Sequence, residues 1–370
     1  MFRCLLAALL ILSPLPALLP LPALAGEAHP AFTQQKARDL IAAVQKIVSP
    51  GGIDEQMEIP INGTEQWITI RGRDLNNPIL LFIHGGPGAP EMPTSWTFQN
   101  PWEDYFTVVQ WDQRGSGKTY NANDPAKIRP TMTLPQMVSD SEAVVQYLRA
   151  TYHRQKIFVM GHSWGTVLGL TLAEKHPEWL YAYIGMGQVI DTLRAEHVGY
   201  LATLKAAEAA HNAKAVAELK AIAPYPEPDG SLKLDKINTE RKWSVILGGL
   251  TYRRDSYDYY FNASELSPDY SDADLKAIGK GSDLSLSSLL PAFAKTDFSK
   301  VTTFRCPIIL FEGRHDETTP STVAAEWFAR VKAPAKKFVW FEHSAHMMQI
   351  EEPGRVLVHL VEDVRPLAAK

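Results

Sequence analysis

Short unbroken apolar runs alternate with amphipathic stretches along most of this chain. Apolar residues crowd positions 79–83, 106–111, 156–160, 183–186, 307–311 and 337–341. Runs this short, rich in β-branched and aromatic side chains, suit strands buried on both faces of a parallel sheet. Between them, 134–152 and 164–176 carry apolar residues at helical spacing, which predicts helices packed over that sheet. The pattern is that of an α/β protein.

Two regions break the alternation. At the front, Leu40, Ile41, Val44, Ile47 and Val48 recur at helical spacing within 32–48, predicting a helix with one apolar face. The period then shortens to two: 53–61 and 66–70 read as strands flanking Asn62-Gly63, a dipeptide suited to the positive φ angles of a tight hairpin. The second break runs from Asp191 to about residue 300. It holds an Ala-rich helical stretch over 193–223, a Pro-Tyr-Pro-Glu-Pro-Asp-Gly turn at 224–230 and a Tyr/Asp-rich segment over 252–270. Joined to strands at both ends, it is expected to lie over the carboxyl edge of the sheet and to shape a pocket there.

Composition narrows the function classes. With 45% hydrophobic and 21% charged residues, no internal repeat and a formal charge of −4, the chain suits a globular fold, and no basic face offers itself to a nucleic-acid backbone. Residues 1–25 combine an early positive charge at Arg3, an apolar run over 5–12 and Ala23-Leu24-Ala25 before Gly26. That reads as a cleaved export signal, leaving a periplasmic or secreted protein with no stable membrane anchor. Pro14, Pro16, Pro20 and Pro22 interrupt the stretch and argue against a spanning helix. The cysteines are Cys4 and Cys306, so processing leaves a single thiol. Stability must then come from the core and not from an intrachain disulfide.

The segment with most chemical content is Gly161-His162-Ser163-Trp164-Gly165, between the apolar run 156–160 and an amphipathic helix. A strand that turns sharply into a helix crowds its neighbours. Glycines at 161 and 165 therefore allow Ser163 a strained backbone with its hydroxyl exposed. A serine hydroxyl needs a base to take its proton and a carboxylate to orient that base. Asp316 follows the run 307–311 in a turn-rich exit and is the candidate acid, with Asp191 the alternative. His346 follows 337–341 and is the candidate base, with His343 the alternative.

The charge on a tetrahedral intermediate also needs donors. The backbone N–H of Trp164, just after the serine, is one candidate. Gly86, in His84-Gly85-Gly86-Pro87-Gly88 after the first apolar run, is the other. Gly115-Ser116-Gly117-Lys118-Thr119 resembles the end of a phosphate-binding loop, but Asp112 stands where the first glycine belongs, so no nucleotide is expected. The histidine pair at 343 and 346 lacks a His-Glu-x-x-His helix or a Cys pair, so no metal or other cofactor is expected.

Taken together, His84-Gly85-Gly86-Pro87-Gly88, Trp111-Asp112-Gln113-Arg114-Gly115-Ser116-Gly117, the serine turn, Gly313-Arg314-His315-Asp316 and Ser344-Ala345-His346 resemble the proline iminopeptidase group of the α/β-hydrolase superfamily. The resemblance covers most of 55–190 and 300–365. It implies an α/β-hydrolase fold: a mostly parallel central sheet flanked by helices, with an inserted helical cap. The domain plan becomes a signal at 1–25, core at 26–190, cap at 191–300 and core again at 301–370. The resemblance further implies cofactor-free hydrolysis of a small peptide, amide or ester by Ser163, Asp316 and His346, with Gly86 and Trp164 at the oxyanion, and structural roles for Asp112 and Arg114. Members that bind a free α-amine carry a cap segment resembling Trp-Ser-x-Trp-Glu. Here Trp243-Ser244-Val245-Ile246-Leu247 puts Leu247 where that glutamate stands. Amine recognition would then fall to Glu240, Asp255, Asp258 or Glu265; Glu240, Trp243, Asp255 and Asp258 are the substrate-binding candidates. The expected activity is release of N-terminal proline or another small residue, the alternative a carboxylesterase or lactonase.

Overall fold

In the computed structural model, residues 32–369 are described; the expected export signal lies outside them. The described residues form one eight-stranded sheet in the order β1-β2-β4-β3-β5-β6-β7-β8. Its strands are β1 (Ile53–Ile61), β2 (Thr64–Gly72), β3 (Ile79–Ile83), β4 (Thr107–Asp112), β5 (Ile157–His162), β6 (Leu180–Met186), β7 (Ile308–Gly313) and β8 (Lys336–Phe341). β1 and β2 form an antiparallel hairpin, turning at Asn62 and Gly63 with φ of 46° and 80°. β2 also pairs antiparallel with β4; from β4 through β8 every pair is parallel.

Strand alternation explains why the sheet runs are apolar throughout. Leu81, Ile83, Val109, Trp111, Ile157 and Val159 join one buried cluster, and the residues between them, Leu80, Phe82, Val108, Phe158 and Met160, join another on the opposite face. Each such side chain contributes about 1.5–3 kcal/mol on full burial. The helices Leu134–Thr151 and Gly165–Lys175 cover the first face. Cys306 is buried in this layer as an unpaired thiol, which burial pushes up to about 12.

The helix expected at the front of the chain is present, and Ile41 and Ile47 of its apolar set are half-buried. The front helix forms over Gln34–Gln45, but Leu40 and Val44, and Val48 just beyond its end, are 56%, 74% and 78% exposed. The helix docks instead by polar side chains. Arg38 is buried, donates from Nε to Glu265 O at 2.8 Å and pairs with Asp272 at 2.9 Å, while Gln45 donates to Trp96 O at 2.8 Å.

Between β6 and β7 the described residues form the helices Thr192–Ala209, Ala213–Ala221, Leu234–Ile246, Asp258–Ser264 and Asp272–Phe293. The expected Ala-rich helix is thus two, split where His211 takes a φ of 51° and Asn212 caps the second. Tyr200, Ala207, Ala215, Leu219, Tyr225 and Trp243 give this segment a small core of its own. Its last helix returns to the sheet layer, where Ser285 donates to Gly115 O at 3.1 Å and Lys118 pairs with Asp274 at 3.1 Å. The phosphate-loop lookalike is therefore a structural joint: Lys118 N–H also donates to Asp112 at 2.7 Å. Among the described residues no helix is long and apolar enough to cross a membrane.

Candidate active site

Parallel strands β3, β5, β7 and β8 deliver their following turns to one edge of the sheet, and four of the expected site segments are those turns. At the end of β5 the chain reverses into the helix Gly165–Lys175 in one residue, Ser163, whose φ is 53°. A non-glycine residue in this region costs on the order of 1–3 kcal/mol and persists only where its surroundings hold it. They do so here through hydrogen bonds. Ser163 N–H donates to Met186 O at 3.0 Å, and Ser163 O accepts from Thr166 N–H and Oγ1–H at 2.9 and 2.6 Å. The flanking glycines are steric necessities: a Cβ at Gly161 would lie 2.5 Å from Gly165 O, and one at Gly165 would collide with Ile83 O.

The turns after β7 and β8 meet directly. His346 Nδ1 lies 2.7 Å from Asp316 Oδ2. The other Asp316 oxygen accepts from the N–H groups of Thr318 and Thr319, both at 2.9 Å, and Thr319 Oγ1 bonds Oδ2 at 2.9 Å. With the proton of the ring on Nδ1, Nε2 is left as the basic nitrogen. His346 N–H donates to Leu250 O at 3.0 Å, so the segment between β6 and β7 also anchors this turn. Gly187 makes room for the ring, since a Cβ there would sit 3.0 Å from His346 Cε1 and Nδ1. The alternatives lie elsewhere. Asp191 caps the helix Thr192–Ala209 by accepting from Arg194 N–H at 3.0 Å, and His343 is exposed.

Ser163 and His346 line one cavity of about 360 Å³, together with Gly86, whose φ is 113°. Trp164 immediately precedes the helix, where the first backbone N–H groups have no acceptor within the helix. Gln113 braces both donor segments, giving an N–H to His84 O at 2.8 Å and accepting from Trp164 Nε1 at 3.1 Å. Burial holds His84 down to about 4, so it stays neutral in this brace. Asp112 and Arg114 do not line this cavity. Asp112 bonds Tyr270 and Lys118 N–H, and burial lifts it to about 7; Arg114 pairs with buried Asp140 at 2.6 Å.

A second pair in the cavity wall, His162 with Glu91, escaped the motif reading. His162 Nδ1 bonds Glu91 Oε1, His162 Nε2 lies 3.0 Å from His346 O, and Gln349 donates to Glu91 Oε2 at 2.8 Å. Burial opposes charge on His162, but the charge and hydrogen bond of Glu91, the His346 carbonyl and Asp316 together outweigh it and raise its pKa. Glu91 shifts downward: burial would raise it, and His162 and Gln349 prevail. A protonated His162 accounts for both contacts, with each ring nitrogen donating. The available signal was a lone acid in the Pro-rich loop after β3, together with the histidine inside the serine turn.

The four expected substrate-binding residues do not line this cavity. Glu240 is fully buried behind it, bonded to Thr203 and Arg241. Trp243 packs in the core of the inserted segment and donates to Glu218 at 2.8 Å. Asp255 and Asp258 are exposed. The wall contains instead Arg241, Glu91 and the aromatic rings of Tyr257, Tyr260 and Phe261. Among the described residues no cluster of three or more His, Cys, Asp or Glu side chains could hold a metal ion.

Comparison with known proteins places this geometry in context. Residues 78–353 match the family described as alpha/beta hydrolase fold. The chain is similar to the probable aminopeptidase YbaC of Bacillus subtilis (strain 168), with 31% identity over 301 residues, 80% of this chain and 92% of that protein. It is also similar to the proline iminopeptidase of Neisseria gonorrhoeae, 38% identical over 99 residues that span 27% of this chain and 29% of the relative. The crystal structure of the Mycobacterium smegmatis proline iminopeptidase shares the fold, with a TM-score of 0.60 at 16% identity over 85% of this chain and all of that one (100%).

Proposed function

The chain belongs to the α/β hydrolase fold family, and from that premise we propose that it is an exported serine hydrolase releasing N-terminal proline or another small residue from short peptides or amides through an acyl-enzyme. One observation carries the reading: the Asp316–His346 hydrogen bond of 2.7 Å at the wall of the cavity that Ser163 enters from its positive-φ turn. The breadth of the similarity to a probable aminopeptidase supports the choice of bond.

In this mechanism Ser163 Oγ forms a bond to the substrate carbonyl carbon while its proton passes to His346 Nε2. Asp316 holds the ring and stabilises the imidazolium. The carbonyl oxygen, now negative, is met by the N–H groups of Gly86 and Trp164. Donors already in place at the developing charge cost no reorganisation, and one such donor is worth roughly 2.7–4 kcal/mol in barrier. The C–N bond then breaks as His346 gives its proton to the leaving amine. Water repeats the sequence on the acyl-enzyme and restores Ser163.

A second reading has its own support. Glu91, the carboxylate in the cavity wall, is already engaged by His162 and Gln349, and a buried ammonium without a counter-charge is costly. A carboxylesterase or lactonase needs none. Hydrolysis of a prolyl-arylamide, its N-acetyl form and p-nitrophenyl esters separates the two. Preference for the free amine supports the aminopeptidase; preference for the blocked amide, or cleavage of esters alone, replaces it with the ester reading. Labelling of Ser163 by a fluorophosphonate tests the nucleophile in both. Export is tested by the N-terminal sequence of protein recovered outside the cytoplasm, expected to begin at Gly26.

A further inference from the structure

The cavity wall holds a fixed cation that the hydrolytic steps do not use. Arg241 lies on the helix Leu234–Ile246 and lines the same cavity as Ser163 and His346. Among the described residues lining that cavity it is the only Arg or Lys. Its Nη1 pairs with Glu240 and its Nη2 with Glu196. Those carboxylates are themselves held, Glu240 by Thr203 Oγ1 at 2.8 Å and Glu196 by the Tyr225 hydroxyl.

The burial of the three side chains differs in a telling way. Glu240 and Glu196 keep 0% and 7% of their side-chain surface, whereas Arg241 keeps 26%. The carboxylates thus form a buried backing for the guanidinium of a residue that lines the cavity. A guanidinium has more N–H donors than two ion pairs use, and its planar fork suits a further carboxylate in bidentate geometry. Burial raises the Glu240 pKa, with Arg241 opposing and Glu196 reinforcing the shift.

Resting on the peptidase reading above, we propose that Arg241 receives the terminal carboxylate of a free dipeptide, making small peptides with an unblocked C-terminus the preferred substrates over amidated peptides and neutral arylamides. The volume of about 360 Å³ agrees with this, since it lies at the small end of ligand cavities. The rival account is that Arg241 only ties the helix Leu234–Ile246 to the helix Thr192–Ala209, which carries Glu196.

The test compares kcat/KM for Pro-Ala, Pro-Ala amide and N-acetyl-Pro-Ala. In the unmodified protein the free acid is expected to exceed the amide by about ten-fold or more, chiefly through KM, as one charge-assisted pair implies. Arg241→Gln should bring the acid-to-amide ratio near one, and Arg241→Lys should retain part of it. Equal values for acid and amide in the unmodified protein overturn the proposal without requiring any variant to fold; so does a ratio that survives Arg241→Gln. The N-acetyl arm is independent: equal cleavage of blocked and free peptide removes the amine-directed reading and leaves the acid-to-amide ratio to be judged. If no peptide is turned over, protection of Ser163 from a fluorophosphonate reads the same preference. Pro-Ala protecting more strongly than its amide supports the role of Arg241, and equal protection overturns it.

Discussion

Two ion pairs face the same cavity from different parts of the fold. His162 ends β5 and Glu91 lies in the loop after β3, and they act inward: His162 Nδ1 bonds Glu91 Oε1, and its Nε2 holds the main chain of His346 at 3.0 Å. Arg241 with Glu240 and Glu196 comes from the inserted helices and leaves its cation accessible. In the proposed mechanism the first pair fixes the reacting groups, and the second meets the entering substrate. Damage to the sheet turns should therefore lower kcat, whereas damage to the inserted wall should raise KM.

The largest expected effect is at Ser163. Replacing it by Ala should remove turnover by roughly 10⁴–10⁶-fold and abolish fluorophosphonate labelling, as for a nucleophile that acts with its base as one unit. Thermal unfolding should change little, because the hydroxyl is not what holds the turn. Unchanged turnover would move the chemistry away from this edge of the sheet. Asp316→Asn comes next, with an expected loss of about 10³–10⁴-fold in kcat from a wrongly held tautomer. A rise in KM alone, with kcat unchanged, would show Asp316 to be a loop acid.

The same division explains what the sequence disclosed. The placement of Ser163 in a positive-φ turn and the meeting of Asp316 with His346 were readable, because a strand exit is visible as an apolar run followed by turn residues. The glycines at 161 and 165 were readable because any Cβ there meets backbone. Arg241 was not readable: it sits in a helix of ordinary polar composition, and only the packing of that helix against Thr192–Ala209 sets it beside Glu196. Glu240, Asp255 and Asp258 had the right charge for an amine, but which helix face meets the cavity is decided by tertiary packing. The front helix teaches the same lesson: its apolar period marks a helix, but its docking by hydrogen bonds from Arg38 and Gln45, on the side opposite exposed Leu40 and Val44, is set by tertiary packing.

A middle-sized effect probes the inward pair. Glu91→Gln removes the charge that favours a protonated His162, a charge-assisted bond worth about 2 kcal/mol, or roughly thirty-fold in kcat if it is lost as positioning of His346. The sign in pH follows from the raised pKa. The folded pKa of His162 lies above its ordinary 6.5, so its stabilising contribution is complete below that value and is lost as pH rises through the folded pKa. Glu91→Gln should pull this alkaline loss to lower pH, in the pH–kcat profile and in the pH dependence of the melting temperature alike. A uniform fall in activity with an unmoved alkaline limb would reduce the pair to simple packing.

The smallest effect tests the inserted wall away from Arg241. Phe261 lines the cavity, stands 50% exposed and packs its ring 4.8 Å from that of Tyr257. Truncation to Ala removes apolar contact with the substrate and one aromatic pairing, about 1 kcal/mol in all, which corresponds to roughly a five-fold rise in KM. Because no hydrogen bond of Ser163, Asp316 or His346 involves Phe261, kcat should stay within about two-fold of its original value. Steady-state kinetics on a small peptide separate the two parameters. A fall in kcat comparable to that of Glu91→Gln would mean that the inserted helices position the reacting groups as well, and the division between the two regions would fail.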